Sequence, residues 1–287
     1  MPSVRPTSLS ERFGVARPEL DRKKILTSWA TRPDPVVWPL PSLSKARGIN
    51  RYEAKTWSQN GEDGILRRLL LTIPGLQGGS FCEIGFHSTE ANCIRLALRH
   101  GFHGVFFDAD KQKCSVFNEA AQHHGIDAKA VPLWVTRSNI VPAMKNTGWL
   151  DEQITVLSID VDGNDLWLME EILKTFRPSI VVMEYNASFG ATASKSIPYE
   201  DKFDRKKSIY HGASLEALNR VASKDGYYLI GTDLNGVNCF FLHSKHKSFW
   251  ESVSVKSCFR PHVTRTRHKT QSEQEILLMN RPLIEIN

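Results

Sequence analysis

Acidic side chains follow several apolar segments of this 287-residue chain at the points where those segments end. Glu83 and Gly85 end one such segment, and Asp108 and Asp110 end another. Carboxylates directly after apolar runs are unfavourable unless they are solvated, paired or bound to a ligand. Their oxygens accept hydrogen bonds from sugar hydroxyls, take up protons or bind hard cations. The pattern therefore predicts a binding site built from the ends of several segments.

Two later apolar segments end in the densest polar groups. Asp160 and Asp162 end one of them, and Glu184 and Asn186 end the next. Sequence-adjacent parallel strands often pair, so we expect these four side chains to lie on one rim. Their oxygens suit Mg²⁺, which would lower the pKa of a bound substrate hydroxyl. The alternative is a metal-free cluster held by lysine, arginine or backbone amides.

Two histidines are candidate general bases, because histidine titrates near neutral pH. His87 follows Gly85 closely enough to line the same pocket, whereas His211 is the weaker candidate. The catalytic candidates are therefore His87, Asp160, Asp162, Glu184 and Asn186.

Strand-like and helix-like segments alternate along the chain and must position these residues. Strands are predicted at 80–85, 104–110, 128–135, 154–163, 179–186, 227–233 and 238–243. Helices are predicted from Ser58 onward and at 89–100, 112–124, 165–175 and 214–226. Fully apolar strands separated by helices indicate a parallel sheet covered on both faces. The turn residues between the last two strands indicate an antiparallel hairpin.

The amino-acid composition of the chain disfavours several classes of protein. The chain is 41% hydrophobic with a net charge of +6, and it contains no apolar stretch of membrane-spanning length. Its basic residues are spread along the sequence without a nucleic-acid-binding module. The five cysteines form no CxxC pair, which favours reduced thiols in an intracellular compartment over a zinc site or disulfides.

We predict three parts in the chain: an extended, proline-rich arm (1–50), one α/β domain (51–243) and a basic C-terminal extension (244–287). The arm has no secretory signal, and its Arg- and Ser-rich composition is compatible with either a flexible arm or an organellar transit segment. The predicted location is thus cytoplasmic or mitochondrial. The arm and the extension are candidate docking segments for a protein assembly.

Five blocks of sequence resemble one family. They are SQNGEDGIL (58–66), LSIDVDGNDLW (157–167), VVMEYNASF (181–189), HGASLEAL (211–218) and NGVNCFF (235–241). In these blocks the chain resembles relatives of the FkbM-like S-adenosylmethionine-dependent methyltransferases over about residues 57–243. The resemblance implies a Rossmann-like methyltransferase sheet, S-adenosylmethionine as cofactor, and methylation of an oxygen of a small molecule or glycan.

The resemblance also implies roles for particular residues. Glu83 and Gly85 would form the first cofactor motif, and Asp108 would accept hydrogen bonds from the ribose hydroxyls. Gln59 and Asp63 would help to close the pocket. The acids and amide after the fourth and fifth strands are similar in arrangement to the magnesium ligands of catechol-type methyltransferases.

One departure from the family pattern leaves a second hypothesis open. Thr89 stands where a glycine is expected, and threonine disfavours the positive φ that glycine permits. The chain is thus either a methyltransferase or a catalytically silent methyltransferase-like subunit of a larger assembly. A dinucleotide-binding enzyme is disfavoured, because GFHSTE (85–90) lacks the G-x-G-x-x-G pattern.

Overall fold

Strands form where the apolar runs of the sequence predict them. The computed structural model of the protein describes residues 48–87, 89–150, 153–205 and 208–287, so the predicted arm lies almost entirely outside the described residues. The strands are β1 Ser80–Ile84, β2 His103–Asp108, β3 Ala128–Pro132, β4 Val156–Ile159, β5 Ile180–Glu184, β6 Lys195–Ser196, β7 Tyr227–Thr232, β8 Asn238–His243 and β9 Ile284–Glu285.

One seven-stranded sheet organises the molecule, in the order β3–β2–β1–β4–β5–β8–β7. The pairs from β3 to β5 are all parallel, whereas β8 runs antiparallel to both β5 and β7. The prediction of a Rossmann-like methyltransferase sheet, mostly parallel with a C-terminal antiparallel hairpin, is confirmed. The strand order reverses between β1 and β4, and ligands of such sheets bind beyond the carboxyl ends of the strands at that point.

Helices precede, connect and follow the strands of the sheet. They are α1 Glu62–Thr72, α2 Ile94–Arg99, α3 Lys111–His124, α4 Ile140–Asn146, α5 Asp165–Leu173, α6 Leu215–Lys224, α7 Val255–Cys258, α8 Val263–Thr266 and α9 Gln271–Met279. The first begins at Glu62 and not near Ser58 as predicted, because the Asp63 carboxylate accepts hydrogen bonds from the backbone N–H groups of residues 56–58. Those bonds hold the segment before the helix as a loop.

The side chains of alternate strand residues pack into two separate hydrophobic cores, one on each face of the sheet. Phe81 and Phe106 pack on one face with Phe117 of α3. Cys82 and Leu157 face the other side, where α5 and α6 cover them. Because both faces are covered, most residues of the parallel strands are apolar, which is the pattern that the sequence displays.

The segment after β8 packs back onto the domain. Gln274 of α9 accepts a hydrogen bond from the Ser188 hydroxyl at 2.7 Å, and β9 pairs with β6. Near its end, the Ile286 carbonyl accepts a hydrogen bond from the Ser194 hydroxyl at 2.6 Å. The predicted division of the chain at residues 50 and 243 stays a prediction. None of the helices within the described ranges has the length and apolar character needed to span a membrane.

Candidate functional site

A cavity of about 470 Å³ opens beyond the carboxyl ends of β1, β2 and β4. The site residues predicted from sequence that line it are Gln59, Glu83, Gly85, His87, Asp108, Asp160 and Asp162. Phe86, Leu133, Trp134 and Phe203 supply apolar wall. The structure thus brings most of the predicted residues to one cavity at the switch point of the sheet.

Gly85 makes the turn that opens the cavity. Its φ is 77°, a left-handed conformation that favours glycine, and its N–H donates to the Phe107 carbonyl at 2.8 Å. A Cβ at this position would lie 1.7 Å from the carbonyl oxygen of Asp160. Only glycine therefore allows the ends of β1 and β4 to approach so closely.

Glu83 shapes the cavity wall from within the protein. It is buried and accepts hydrogen bonds from the backbone N–H groups of Asn92 at 2.9 Å and Cys93 at 2.7 Å. Burial raises the pKa of the Glu83 carboxyl to about 7. Its contacts fix the segment that leads into α2, which also lines the cavity.

Asp108 ends β2 at the cavity wall. Its carboxylate accepts hydrogen bonds from Lys113 Nζ at 2.5 Å, from the Asp110 N–H at 2.9 Å and from the Phe86 N–H at 3.4 Å. A carboxylate offers about four lone-pair sites, so a ribose hydroxyl can share it with these donors. Asp110 itself caps α3 through the N–H groups of Gln112 and Lys113.

Asp63 is placed differently from the other predicted cofactor residues. Gln59 lines the cavity, but Asp63 is buried behind it and is not among the lining residues. Its carboxylate binds the backbone N–H groups of residues 56–58 and the Ser58 hydroxyl. Asp63 therefore organises the loop that carries Gln59 to the cavity.

His87 stands exposed at the cavity rim, where its Nδ1 lies 2.9 Å from the Thr89 hydroxyl. The residue before Thr89 lies outside the described part of the chain, so the effect of replacing the expected glycine stays a prediction.

Asp160, Asp165 and Glu184 form a cluster of carboxylates at the ends of β4 and β5, with oxygens within 4.8 Å of one another. Burial, then the charge of Asp165, raises the pKa of Asp160 to about 7. Burial, then the charge of Asp160, raises the pKa of Glu184 well above its ordinary value. Carboxylates this close repel one another when both are charged, so the pair takes up a proton more readily than either acid would alone.

Two arginines supply positive charge to this cluster. Arg205 forms an ion pair with Asp162 and lies 3.8 Å from Glu184 Oε1. The positive charge of Arg265 also acts on Glu184 and lowers the pKa of that carboxyl, against the effect of burial. Arginine is the group best suited to buried ion pairs, because its planar guanidinium is weakly hydrated. Neither arginine was identified from the sequence.

The four predicted magnesium ligands do not assemble around one point. Asn186 uses its amide to bind the carbonyls of Ile209 and His211, and its Oδ1 accepts from the Ser188 N–H and from Arg265. Asp162 is occupied by Arg205. Magnesium requires near-octahedral oxygen ligands, which this arrangement does not present, so the residues as placed do not fit the ion. The magnesium site remains a prediction on which the mechanism below does not depend.

A strap at residues 199–205 forms the outer wall of the cavity. Trp134 Nε1 donates to the Asp201 carbonyl at 2.6 Å, and Asn164 Nδ2 donates to the Glu200 carbonyl at 2.8 Å. Phe203 lies against Gly163, where a Cβ would come within 2.3 Å of its ring. The glycine of the IDVDGND block therefore makes room for an aromatic wall.

Buried carboxyls with raised pKa values determine how stability should change with pH. Burial raises the pKa of Glu53, Glu83 and Asp160 to about 7, of Asp165 to about 6 and of Asp233 to about 8, and that of Glu184 further. Each binds its proton more tightly in the folded chain than in the unfolded one. Folding is therefore favoured as the pH falls from the folded-state pKa towards the unfolded-state pKa.

We expect the free energy of unfolding to rise by about 2–5 kcal/mol as the pH is lowered from about 8.5 to about 6.5. Below about pH 6.5 histidines act in the opposite direction, since burial lowers the pKa of His211, His246 and His262. Urea unfolding at constant ionic strength measures the effect. A free energy of unfolding that declines over the same interval would contradict the assignment of these carboxyls.

No protein-family model and no curated protein matches the chain. It is similar to the solved O-methyltransferase from Bacillus cereus in complex with SAH, at 14% identity over 82% of this chain and 93% of that chain, with a TM-score of 0.42. It is also similar to a SAM-dependent methyltransferase from Aquifex aeolicus, at 10% identity over 69% of this chain and 96% of that chain, with a TM-score of 0.40. The N-terminal domain of EvdMO1 with SAH bound matches at 10% identity over 79% of this chain and 95% of that chain, with a TM-score of 0.42.

These likenesses are too distant to carry an argument about activity. The fold class is visible in the chain's own strand order. The FkbM-like resemblance stays a prediction.

Proposed function

We propose that the protein is an S-adenosylmethionine-dependent methyltransferase that methylates a hydroxyl oxygen of a small molecule or glycan. One observation carries the proposal: the cavity at the switch point is lined by both Asp108 and Asp160, and Asp160 lies beside the buried Glu184. The first suits a ribose, and the second suits the removal of a proton. A methyl donor held between them would face an acceptor at the acid cluster.

The cavity residues fit the donor by their chemistry. Asp108 would accept hydrogen bonds from the ribose hydroxyls, and the apolar wall at Leu133 and Trp134 would take the adenine. The methionine portion would pass Gly85, where the backbone is uncovered by any side chain. When bound, the donor supplies a methyl group on a positively charged sulfur, and the carbon–sulfur bond breaks as the acceptor oxygen bonds to that carbon.

The acid pair would receive the proton that the acceptor loses. Glu184 Oε2 has no hydrogen-bond partner among the described residues, and Asp160 lies beside Glu184 and lines the cavity. The hydroxyl proton of the acceptor would pass to this acid pair and be held by Asp160. The pKa of Asp160, about 7, matches this role, because a general base works best when its pKa lies near the operating pH.

A catalytically silent subunit is the second candidate, and one contact favours it. Lys113 Nζ donates a hydrogen bond to the Asp108 carboxylate at 2.5 Å and another to the Phe86 carbonyl at 2.8 Å. A ribose must share Asp108 with this ammonium group. Binding of the donor's product therefore separates the two candidates.

We expect S-adenosylhomocysteine to bind the wild-type chain with micromolar affinity in calorimetric titration. Asp108→Asn should weaken binding about 10- to 100-fold, because the charged acceptor of a ribose hydrogen bond is lost. Asp110→Asn is the matched control, since asparagine caps helices as well as aspartate does, and affinity should not change.

Two results would contradict the proposal in different ways. Absence of heat from the wild type at millimolar ligand would favour the silent subunit. Unchanged affinity in Asp108→Asn, with binding intact in the wild type, would refute only the ribose assignment.

A further inference from the structure

Asp162, Glu184 and His211 meet beside the cavity, and one potential ligand atom of each lies within 4.8 Å of the others. At least one point lies within about 2.8 Å of all three atoms, which is within hydrogen-bond reach. His211 is fully buried, and its Nδ1 and Glu184 Oε2 have no hydrogen-bond partner among the described residues. These two atoms lie 3.7 Å apart. A single polar atom that entered between the three side chains would contact all of them.

Arg265 determines which ring nitrogen of His211 carries the hydrogen. Its Nη2 lies 2.9 Å from His211 Nε2, and because a guanidinium can only donate, Nε2 must accept. An imidazole ring whose Nε2 accepts a hydrogen bond is neutral, because both ring nitrogens of the charged form are donors. The hydrogen of a neutral ring whose Nε2 accepts is on Nδ1, which faces Glu184.

Asn186 fixes the arginine that imposes this choice. Its Oδ1 accepts from Arg265 Nη1 at 2.8 Å, and its amide nitrogen donates to the His211 carbonyl at 2.8 Å. The side chain of Asn186 thus connects Arg265 to the backbone of the histidine that Arg265 contacts. Asn186 therefore holds the guanidinium of Arg265 and the imidazole of His211 in fixed positions relative to each other.

We infer that Asp162, Glu184 and His211 form a subsite for one neutral hydroxyl group, and that Arg265 makes the subsite selective by fixing His211 in its Nδ1–H form. The inference rests on the proposed function and specifies where its acceptor binds. His211 donates to a lone pair of the hydroxyl oxygen, and Glu184 accepts the hydroxyl hydrogen. Arg205 keeps Asp162 paired and ionised as a second acceptor.

The same arrangement rejects two other occupants. An ammonium group has no lone pair for the Nδ1–H to contact. A divalent metal ion needs a lone pair on Nδ1, and that nitrogen is protonated while Arg265 binds Nε2. Arg265 is thus a positioning residue that acts through His211.

Nitrogen NMR of the full chain labelled with ¹⁵N-histidine tests the tautomer directly, with the His211 signals assigned from His211→Gln. We expect the Nδ1–H form in the wild type. Arg265→Ala should shift the ring towards the Nε2–H form, and Arg265→Lys should retain the wild-type form because lysine also donates. Arg267→Ala, an exposed arginine on the same segment, is the matched control and should change nothing.

Titration with Co²⁺ alone gives an independent readout through the visible absorption of the ion. The wild type and Arg267→Ala should show no bound Co²⁺. Arg265→Ala should bind it at least tenfold more tightly than the wild type, because Nδ1 is then free to join Asp162 and Glu184 as a ligand. The double variant Arg265→Ala, His211→Gln should lose that gain.

The inference is overturned if wild-type His211 is in the Nε2–H form, or if the wild type binds Co²⁺ in a manner that His211→Gln abolishes. The wild-type spectrum decides the first point even if Arg265→Ala does not fold. Calorimetry with S-adenosylhomocysteine on the same samples keeps the two proposals apart. Loss of donor binding refutes the proposed function, whereas a wrong tautomer with intact donor binding refutes the subsite alone.

Discussion

Gly85→Ala is expected to abolish S-adenosylhomocysteine binding and to lower the free energy of unfolding by about 2–5 kcal/mol. The new Cβ would lie 1.7 Å from the Asp160 carbonyl oxygen, a backbone atom that cannot move without separating β1 from β4. The positive φ of 77° adds a conformational penalty. Separation of the two strand ends would displace Asp160 and the cavity floor together. Urea unfolding and calorimetry measure the two effects.

Gly125→Ala separates the conformational penalty from the steric overlap. Gly125 ends α3 with a φ of 63°, but nothing lies within 4 Å of a Cβ placed there. We expect this variant to lose only about 1–2 kcal/mol and to bind S-adenosylhomocysteine normally. Equal losses in the two variants would show that the contact between Gly85 and Asp160 has no importance for the site.

Asp160→Asn is expected to reduce methyl transfer by about 10²- to 10⁴-fold while leaving S-adenosylhomocysteine affinity intact. The variant keeps the shape of the side chain but removes the group that receives the acceptor's proton. Its melting temperature should be unchanged or higher at pH 8, because a buried carboxylate beside two others is replaced by a neutral amide. Turnover is measured as S-adenosylhomocysteine formed with a panel of hydroxyl-bearing small molecules and glycans.

Asp165→Asn provides the contrast within the same cluster. Asp165 accepts the backbone N–H groups of Val161 at 2.8 Å and Gly163 at 2.9 Å, one on each carboxylate oxygen. An amide offers one oxygen to these two donors, so we expect a loss of about 1–3 kcal/mol. Opposite shifts in melting temperature would thus distinguish a working acid from a structural one. A fall in both variants, with full turnover in Asp160→Asn, would mean that the whole cluster is structural.

The sheet could be predicted from sequence because the residues that indicate each strand are next to one another in the chain. Each strand is a short apolar run bounded by polar or turn residues, and the alternation with helices admits few topologies. The hairpin at β7 and β8 followed from the turn residues between them. The start of α1 was misplaced, since the contacts of Asp63 with residues 56–58 compete with a helical pattern that begins at Ser58.

The acid cluster was predictable in part. Strand ends located Asp160 and Glu184, and the rule that such ends meet at one edge brought them together. Asp165 was not among the candidate residues, and its contribution to the cluster depends on the tight turn after β4. Its carboxylate contacts that turn through two backbone amides.

The cationic half of the site could not be predicted. Arg265 contacts Asn186 across 79 residues and lies beyond the region that resembles a known family. It belongs to a short helix without a periodic pattern, in a segment that looks merely basic. Arg205 sits in a loop between two elements, where sequence gives no register. Only the folded chain brings these charges to Glu184.

Arg265 lies near the end of the sequence, and this position implies an order of events during translation. His211 leaves the ribosome 54 residues before Arg265, which corresponds to roughly 3–11 s of synthesis. The sheet has all its strands once His243 has emerged, and at that moment the carboxylates of the site still lack one of their two guanidinium groups. Docking of the α8 segment then completes the charge balance of the site. The site therefore receives its last charged group after all seven strands of the sheet have been synthesised.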